Sequence, residues 1–208
     1  SVEMDAMRSA YKEACLSASA ETAFRTKNLN EWLNVAEVWI NDRRWAKCQK
    51  RFNEKNLKSL RCWGGIDLSK RLDFTALTWY FALENGKRYA KHYFFIPEGQ
   101  IDAKMKQDSY RIRQWIQQGY ITATPGDTQD FSFMLKQILE DAKKYDIQEI
   151  AYDRNLAEYL IQDLEAEFTC VEFSQSITGM SEPSKAWEQA IAEGAIIDNN
   201  PEIGRAHV

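Results

Sequence analysis

Cys62-Trp63-Gly64-Gly65-Ile66-Asp67-Leu68 is a short apolar run closed by an acid, and the residues after it decide the fold. A polar turn, Lys70 to Asp73, leads into Thr75 to Leu83, a run rich in the Thr, Trp, Tyr and Phe that favour pleated surfaces. Asn85-Gly86 comes next, the pair that best tolerates the positive φ angles of a two-residue type I′ hairpin turn. Arg88 to Ile96 returns as a third strand, with Pro97 expected to stop it. The three runs predict an antiparallel meander.

Beyond the meander, helix and strand alternate. Met105, Ile112, Trp115 and Ile116 mark a helix ending before Gly119, and Tyr120 to Thr124 is a short strand broken at Pro125-Gly126. Phe131, Met134, Leu135, Ile138, Leu139 and Ala142 form one amphipathic face. Glu149-Ile150-Ala151-Tyr152-Asp153 is a strand that again ends in an acid. Leu156, Leu160, Ile161 and Leu164 make the next helix and Cys170 to Phe173 the next strand. A last helix is predicted from about Pro183 to Glu193, with proline near the first turn, where its missing N–H does no harm. A meander followed by alternating helices and strands implies an α/β protein with a mixed sheet flanked by helices. Upstream, residues 1 to about 60 contain no glycine and read as a helical linker: Met4, Met7, Ala10, Tyr11 and Cys15 recur near helical spacing.

The bulk properties exclude several classes. With 208 residues, 44% of them hydrophobic, the chain can bury a sizeable core. No apolar run approaches the roughly 18 residues that a membrane span needs, and the N-terminus lacks a secretory pattern, so a soluble protein is expected. Cys15, Cys48, Cys62 and Cys170 form no Cys-x-x-Cys pair and only two histidines are present, which argues against a zinc site and for reduced thiols. The net charge of −4 is unevenly spread. Between Asn41 and Arg61, the basic residues Arg43, Arg44, Lys47, Lys50, Arg51, Lys55, Lys58 and Arg61 face only Asp42 and Glu54, a local +6 that leaves −10 elsewhere. Such a stretch can grip phosphate or can be a solvated connector, and composition alone decides neither.

Gly65-Ile66-Asp67 and Ala151-Tyr152-Asp153 end their strands alike. Ligands of open α/β sheets bind beyond the carboxyl ends of strands, where strand order reverses. On parallel neighbours about 4.8 Å apart, the two carboxylates would meet and repel unless a cation stood between them. Hard divalent cations prefer such oxygens and keep positions open for phosphate. Asp73, just before the second strand, could reach the same cluster. Each of these acids could also serve merely as a turn or cap residue.

The strand–acid–hairpin–strand pattern resembles the RNase H-like fold, and more specifically the nuclease domain of phage terminase large subunits. The segments that carry the resemblance are Ala23–Trp32, Gly64–Ser69, Asp73–Leu77, Phe95–Glu98, Thr122–Gly126 and Ile147–Arg154, in the order that family has them. The resemblance implies that Asp67 and Asp153 are metal-binding catalytic acids using two Mg²⁺ or Mn²⁺ ions, and that the domain cuts concatenated double-stranded viral DNA in the cytoplasm of an infected bacterium. It implies an ATPase motor upstream, for which no G-x-x-x-x-G-K-[ST] loop occurs here, with the basic stretch as the joint. A small terminase subunit and a portal would be the further partners.

In that family a third acid comes from a helix beyond a segment resembling Asn199-Asn200-Pro201; Asp198 precedes the segment and is not expected to replace it. The chain opens at Ser1, already inside an amphipathic pattern, and Ile203–Val208 breaks the preceding character and matches one reading frame of a common sequencing adapter. Truncation at both ends is therefore expected: a linker at 1–60, the nuclease domain at 61–202 and a non-native tail at 203–208, with weak or absent cleavage by this piece. Three other functions share parts of the pattern. An actin- or Hsp70-like ATPase also places Gly-Ile-Asp-Leu on its first strand, but Ser69-Lys70-Arg71-Leu72 puts bulk where phosphate would be wrapped. An RNase H-like resolvase or integrase and a non-catalytic portal-docking fragment are the others.

Overall fold

A computed structural model describes residues 4–15, 20–21, 24–25, 28–29, 40, 42–50, 52–68, 73–108, 111–153 and 158–198. Among them, seven strands form one sheet: β1 (Arg61–Asp67), β2 (Thr75–Ala82), β3 (Arg88–Pro97), β4 (Ile121–Thr124), β5 (Asp146–Tyr152), β6 (Cys170–Glu172) and β7 (Ile196–Asp198). The order is β4-β3-β2-β1-β5-β6, with β7 also on β3. β1, β2 and β3 are the expected antiparallel meander. β5 lies parallel to β1, β6 parallel to β5, and β4 and β7 parallel to β3. The mixed sheet is thus as the sequence implies.

Helices α1 (Met4–Ala14), α2 (Asp42–Cys48), α3 (Ile101–Asp108), α4 (Ile112–Gln117), α5 (Ser132–Ala142), α6 (Glu158–Glu165) and α7 (Ile177–Ala192), with two short 3-10 turns at Glu54–Leu57 and Glu98–Gln100, complete the described elements, and none is long and apolar enough to cross a membrane. Strand alternation divides the core between the sheet's faces. On one face Met134 and Ile138 of α5 and Leu160, Ile161 and Leu164 of α6 pack on Cys62, Ile66, Leu77, Trp79, Phe81 and Ile150. On the other, Ile112 and Trp115 of α4 meet Ile96 and Ile121. There too Trp45 and Cys48 of α2 meet Ala190 and Ile191 of α7 and Ile196. Trp45, Cys48, Phe52 and Leu60 thus join the cores on the sheet, and Leu57 is wholly buried in the main one.

Local chemistry departs from the sequence expectation in several places. The hairpin is not a two-residue type I′ turn: Gly86 alone has positive φ (73°), Gly86 N–H donates to the Leu83 carbonyl at 3.0 Å, and Leu83 N–H to the Lys87 carbonyl at 2.8 Å. This is a type I turn closed by a left-handed glycine, the three-residue alternative, and it leaves Asn85 with ordinary backbone angles while its side chain accepts from Lys87 N–H at 3.1 Å. The last helix starts earlier than Pro183, at Ile177, because Ser176 caps it by accepting from Gly179 N–H at 3.1 Å. Pro183 thus lies inside the helix. The expected single helix through Met105 and Ile116 is two, α3 and α4, and β7 was not anticipated at all.

Gly64 faces the packed side of β1. A Cβ there would stand 2.6 Å from the Trp79 ring and 3.2 Å from Ile150 Cγ1, whereas one at Gly65 would meet nothing within 4 Å. Trp79 cannot retreat easily, since its Nε1 donates to the fully buried Asp141 at 3.0 Å. Gly64→Ala should cost about 1–3 kcal/mol in urea unfolding, and Gly65→Ala should leave the midpoint nearly unchanged. Equal losses at both positions would contradict this packing.

Candidate active site

The parallel ladder between β1 and β5 does not run straight. It passes from Cys62 opposite Ile147 to Trp63 opposite Glu149, skipping Gln148, and then continues evenly to Ile66 opposite Tyr152. Because a one-residue slip exchanges every neighbour along a strand, this bulge decides which residue stands next to Asp67. Without it, Tyr152 would. With it, Asp67 and Asp153, each the next residue on, end neighbouring parallel strands side by side.

β1 also alternates so that Cys62, Gly64 and Ile66 are buried while Arg61, Trp63 and Asp67 are exposed. Asp67 consequently leaves the sheet on its open side. Its carboxyl is pushed above the ordinary aspartate range, first by burial and then by the charges of Asp73 and Asp153. The residue as a whole is exposed, but the two like charges act in the same direction as the burial, so the upward shift stands. Asp73, in the turn before β2, has a largely exposed side chain whose Oδ1 accepts from Phe74 N–H at 2.9 Å. Asp73 and Asp153 are therefore both close enough to act on Asp67.

Their chemistry suits a hard divalent cation: carboxylate oxygens, and an electrostatic excess that a cation would relieve. Among the described residues, no group of three or more His, Cys, Asp or Glu is placed to hold a metal ion. The register offers Asp67 and Asp153 as a pair, while Asp73 is the stronger of the two outside charges acting on Asp67. Asp198 stands apart. It is buried on β7 opposite Ala90, with Oδ2 3.7 Å from His92 Nε2. Residues 199–208, where the sequence reading placed the Asn-Asn-Pro segment and the non-native tail, lie outside the described residues, as does most of the Ala23–Trp32 segment.

The basic stretch lies toward the other end of the sheet. Arg61 begins β1 and Asp67 ends it, a span of about 20 Å at roughly 3.3 Å per residue. Arg43, Lys47, Lys50, Lys55 and Lys58 are exposed. Arg44 donates to the Cys15 carbonyl, and Arg61 approaches Asp146 at 3.9 Å. Glu54, one of the two acids within the stretch, is drawn away to Lys91 at 2.5 Å. Arg51 is outside the described residues.

The family model for the terminase large subunit endonuclease domain matches residues 1–207. The chain belongs to that family. The match crosses both the stretch read as a linker and most of the tail read as non-native. Among relatives of the terminase nuclease domain, the large terminase subunit of Enterobacteria phage HK97 is 28% identical over 93% of this chain and 38% of its own length. Protein YmfN of Escherichia coli K12 is 26% identical over 97% of the chain and 47% of its own. The crystal structure of the HK97 large terminase superposes with a TM-score of 0.72 at 25% identity, over 98% of this chain and 42% of that one. The chain thus spans less than half the length of the relatives it matches. The resemblance to phage terminase nucleases and the RNase H-like fold it implies are both confirmed.

Sequence reading missed two features of this nuclease domain near its acids. One is the bulge at Gln148, which no residue type announces. The other is Lys104, whose signal was present: with Ile101 and Met105 it sits at the i, i+3, i+4 spacing of a core face.

A carboxyl whose folded-state value is raised contributes its stability below the ordinary value, 3.8 here, and loses it as pH rises through the raised one. Asp67→Asn removes that loss. It should raise the melting temperature of the metal-free protein at neutral pH, with the advantage shrinking as pH falls toward 3.8. Identical melting curves at neutral pH would show that the acids do not strain the fold.

Proposed function

We propose that this domain is a metal-dependent DNA endonuclease in which Asp67 and Asp153 hold the divalent cations. The observation that carries the reading is the register of β1 and β5, which ends two neighbouring parallel strands in acids on the sheet's open side. Membership of the terminase endonuclease family supplies the substrate class. Asp67 and Asp153 would hold two Mg²⁺ or Mn²⁺ ions, which would supply activation of a water and stabilisation of the leaving oxygen of a phosphodiester. The part of the protein is to fix the ligands: Asp67 and Asp153 are borne on paired strand ends, so their separation is set by the sheet rather than by a loop. Asp73 adds negative charge from outside the pair.

In this reading the intact protein cuts concatemeric double-stranded viral DNA in the cytoplasm of the host, working with its own ATPase domain, a small terminase subunit and a portal. With Asp67 and Asp153 as the direct ligands, we expect cleavage by this chain to be slow. Wild-type protein should bind Mn²⁺ in calorimetry and slowly relax supercoiled plasmid, while Asp67→Asn and Asp153→Asn should each lose the binding and bring relaxation to background. Unaltered Mn²⁺ binding and cleavage in both variants would overturn the assignment.

The basic stretch supports a second contact with the same substrate. A duplex reaching from Asp67 back to Arg61 would cover about 20 Å, or about six base pairs at roughly 3.4 Å each. Lys47, Lys50, Lys55 and Lys58 are exposed for that purpose. Reversing these four charges to Glu should weaken DNA binding and flatten its dependence on salt, by up to about 0.9 in the log–log slope for each phosphate no longer neutralised. An unchanged slope would leave the stretch as a solvated connector.

A further inference from the structure

Among the described residues, Lys104 is the basic side chain that the fold buries, at 5% exposure. It rises from α3 with its Nζ 3.3 Å from Asp73 Oδ1 and 5.5 Å from the centre of the Phe74 ring. The pair is lopsided: the Lys104 side chain is 6% exposed and that of Asp73 62%. Taking an ammonium out of water costs several kcal/mol, and the acid at the tip of this one, Asp73, is the foremost outside charge acting on Asp67.

Three contacts hold Asp73 in one orientation. Lys104 Nζ and Phe74 N–H both donate to Oδ1, and Gln129 Nε2 donates to the Asp73 carbonyl oxygen at 3.3 Å. Among the described residues the bonds to the Asp73 side chain both fall on Oδ1. An oriented carboxylate of this kind acts on a metal through the waters around it, and its orientation is itself set by a hydrogen-bond partner.

We propose that Lys104 is a positioning residue of the nuclease site, acting through Asp73 to set the orientation of that carboxylate and the net charge around the Asp67–Asp153 pair. The proposal rests on the reading of that pair as the cation site. Lys104 offsets one negative charge of the three-acid group. It keeps the group from gripping cations too tightly while holding Asp73 in place for the water network. A phosphate grip is the alternative role for the same ammonium, and the two roles differ in what the lysine changes: orientation and turnover in the first, DNA affinity in the second.

The test uses Lys104→Met, which keeps the length of the stem in its apolar surroundings, Lys104→Arg, and the Met change combined with Asp73→Asn. Melting temperatures first establish that all are folded; if Lys104→Met does not fold, Lys104→Gln takes its place. Mn²⁺ affinity is read by calorimetry, and kcat and KM for plasmid relaxation are read separately. Lys104→Met should tighten Mn²⁺ binding about three- to tenfold and lower kcat about tenfold with KM little changed. Lys104→Arg should restore most of both. In the Asp73→Asn background the Lys104 change should have no further effect on either.

A raised KM with kcat intact would overturn the proposal in favour of a phosphate grip. An unchanged Mn²⁺ affinity in a folded Lys104→Met protein would overturn it outright, as would an effect that persists without the Asp73 carboxylate. Asp67→Asn serves as the control for the underlying reading. If that variant keeps its Mn²⁺ binding, the cation site itself is misplaced and both fall. If it loses binding while Lys104→Met changes nothing, only the role of Lys104 is refuted.

Discussion

The proposed site depends on the backbone pairing that brings two strand-end carboxylates together. Neither Asp67 nor Asp153 would choose the other as a neighbour. Their separation is decided by hydrogen bonds between β1 and β5, by the bulge at Gln148, and by the cores that hold both strands flat. Sheet pairing involves many bonds acting cooperatively, so it can impose an arrangement that costs Asp67 stability. In the proposed reading that cost is what a bound cation would relieve.

The rest of the architecture can be understood as support for that arrangement. α5 and α6 press on the buried face of β1, β2 and β5, and the close approach of Gly64 to Trp79 lets the strand lie against its neighbours without bulk between them. Trp79 is anchored by Asp141, itself wholly buried and reached also by Lys144 at 3.2 Å. On the second face, α3 and α4 cover β3 and β4 and carry Lys104 to the turn before β2. Trp63 and Asp67 emerge on the open part of that face.

Much of this was readable in the sequence, for a definite reason. The meander announced itself through aromatic and β-branched runs separated by a polar turn and by Asn85-Gly86, and the two acids were conspicuous because each closes an apolar run. Register and burial escaped reading. Nothing in Asp146-Ile147-Gln148-Glu149 distinguishes a bulge from a straight strand, since that choice is made by the partner across the ladder. Asp141 looks like an ordinary surface charge in its helix, and Lys104, though it shares the spacing of Ile101 and Met105, is a residue type expected in solvent; tertiary packing makes one a core anchor and the other a buried ammonium. The start of α7 was misplaced because Pro183 is a louder signal than the Ser176 cap. β7 has three residues, too few for any alternation to be seen.

The central claim is that Asp67 and Asp153 receive one and the same cation centre. Paramagnetic broadening tests it most directly, by titrating Mn²⁺ into isotopically labelled protein and following backbone amide signals. The signals of Ile66–Leu68 and of Tyr152–Asp153 should vanish together, at the same low Mn²⁺ concentration, while those of β4 and β7 persist. Broadening at only one of the two strand ends, or first at Asp198, would contradict it.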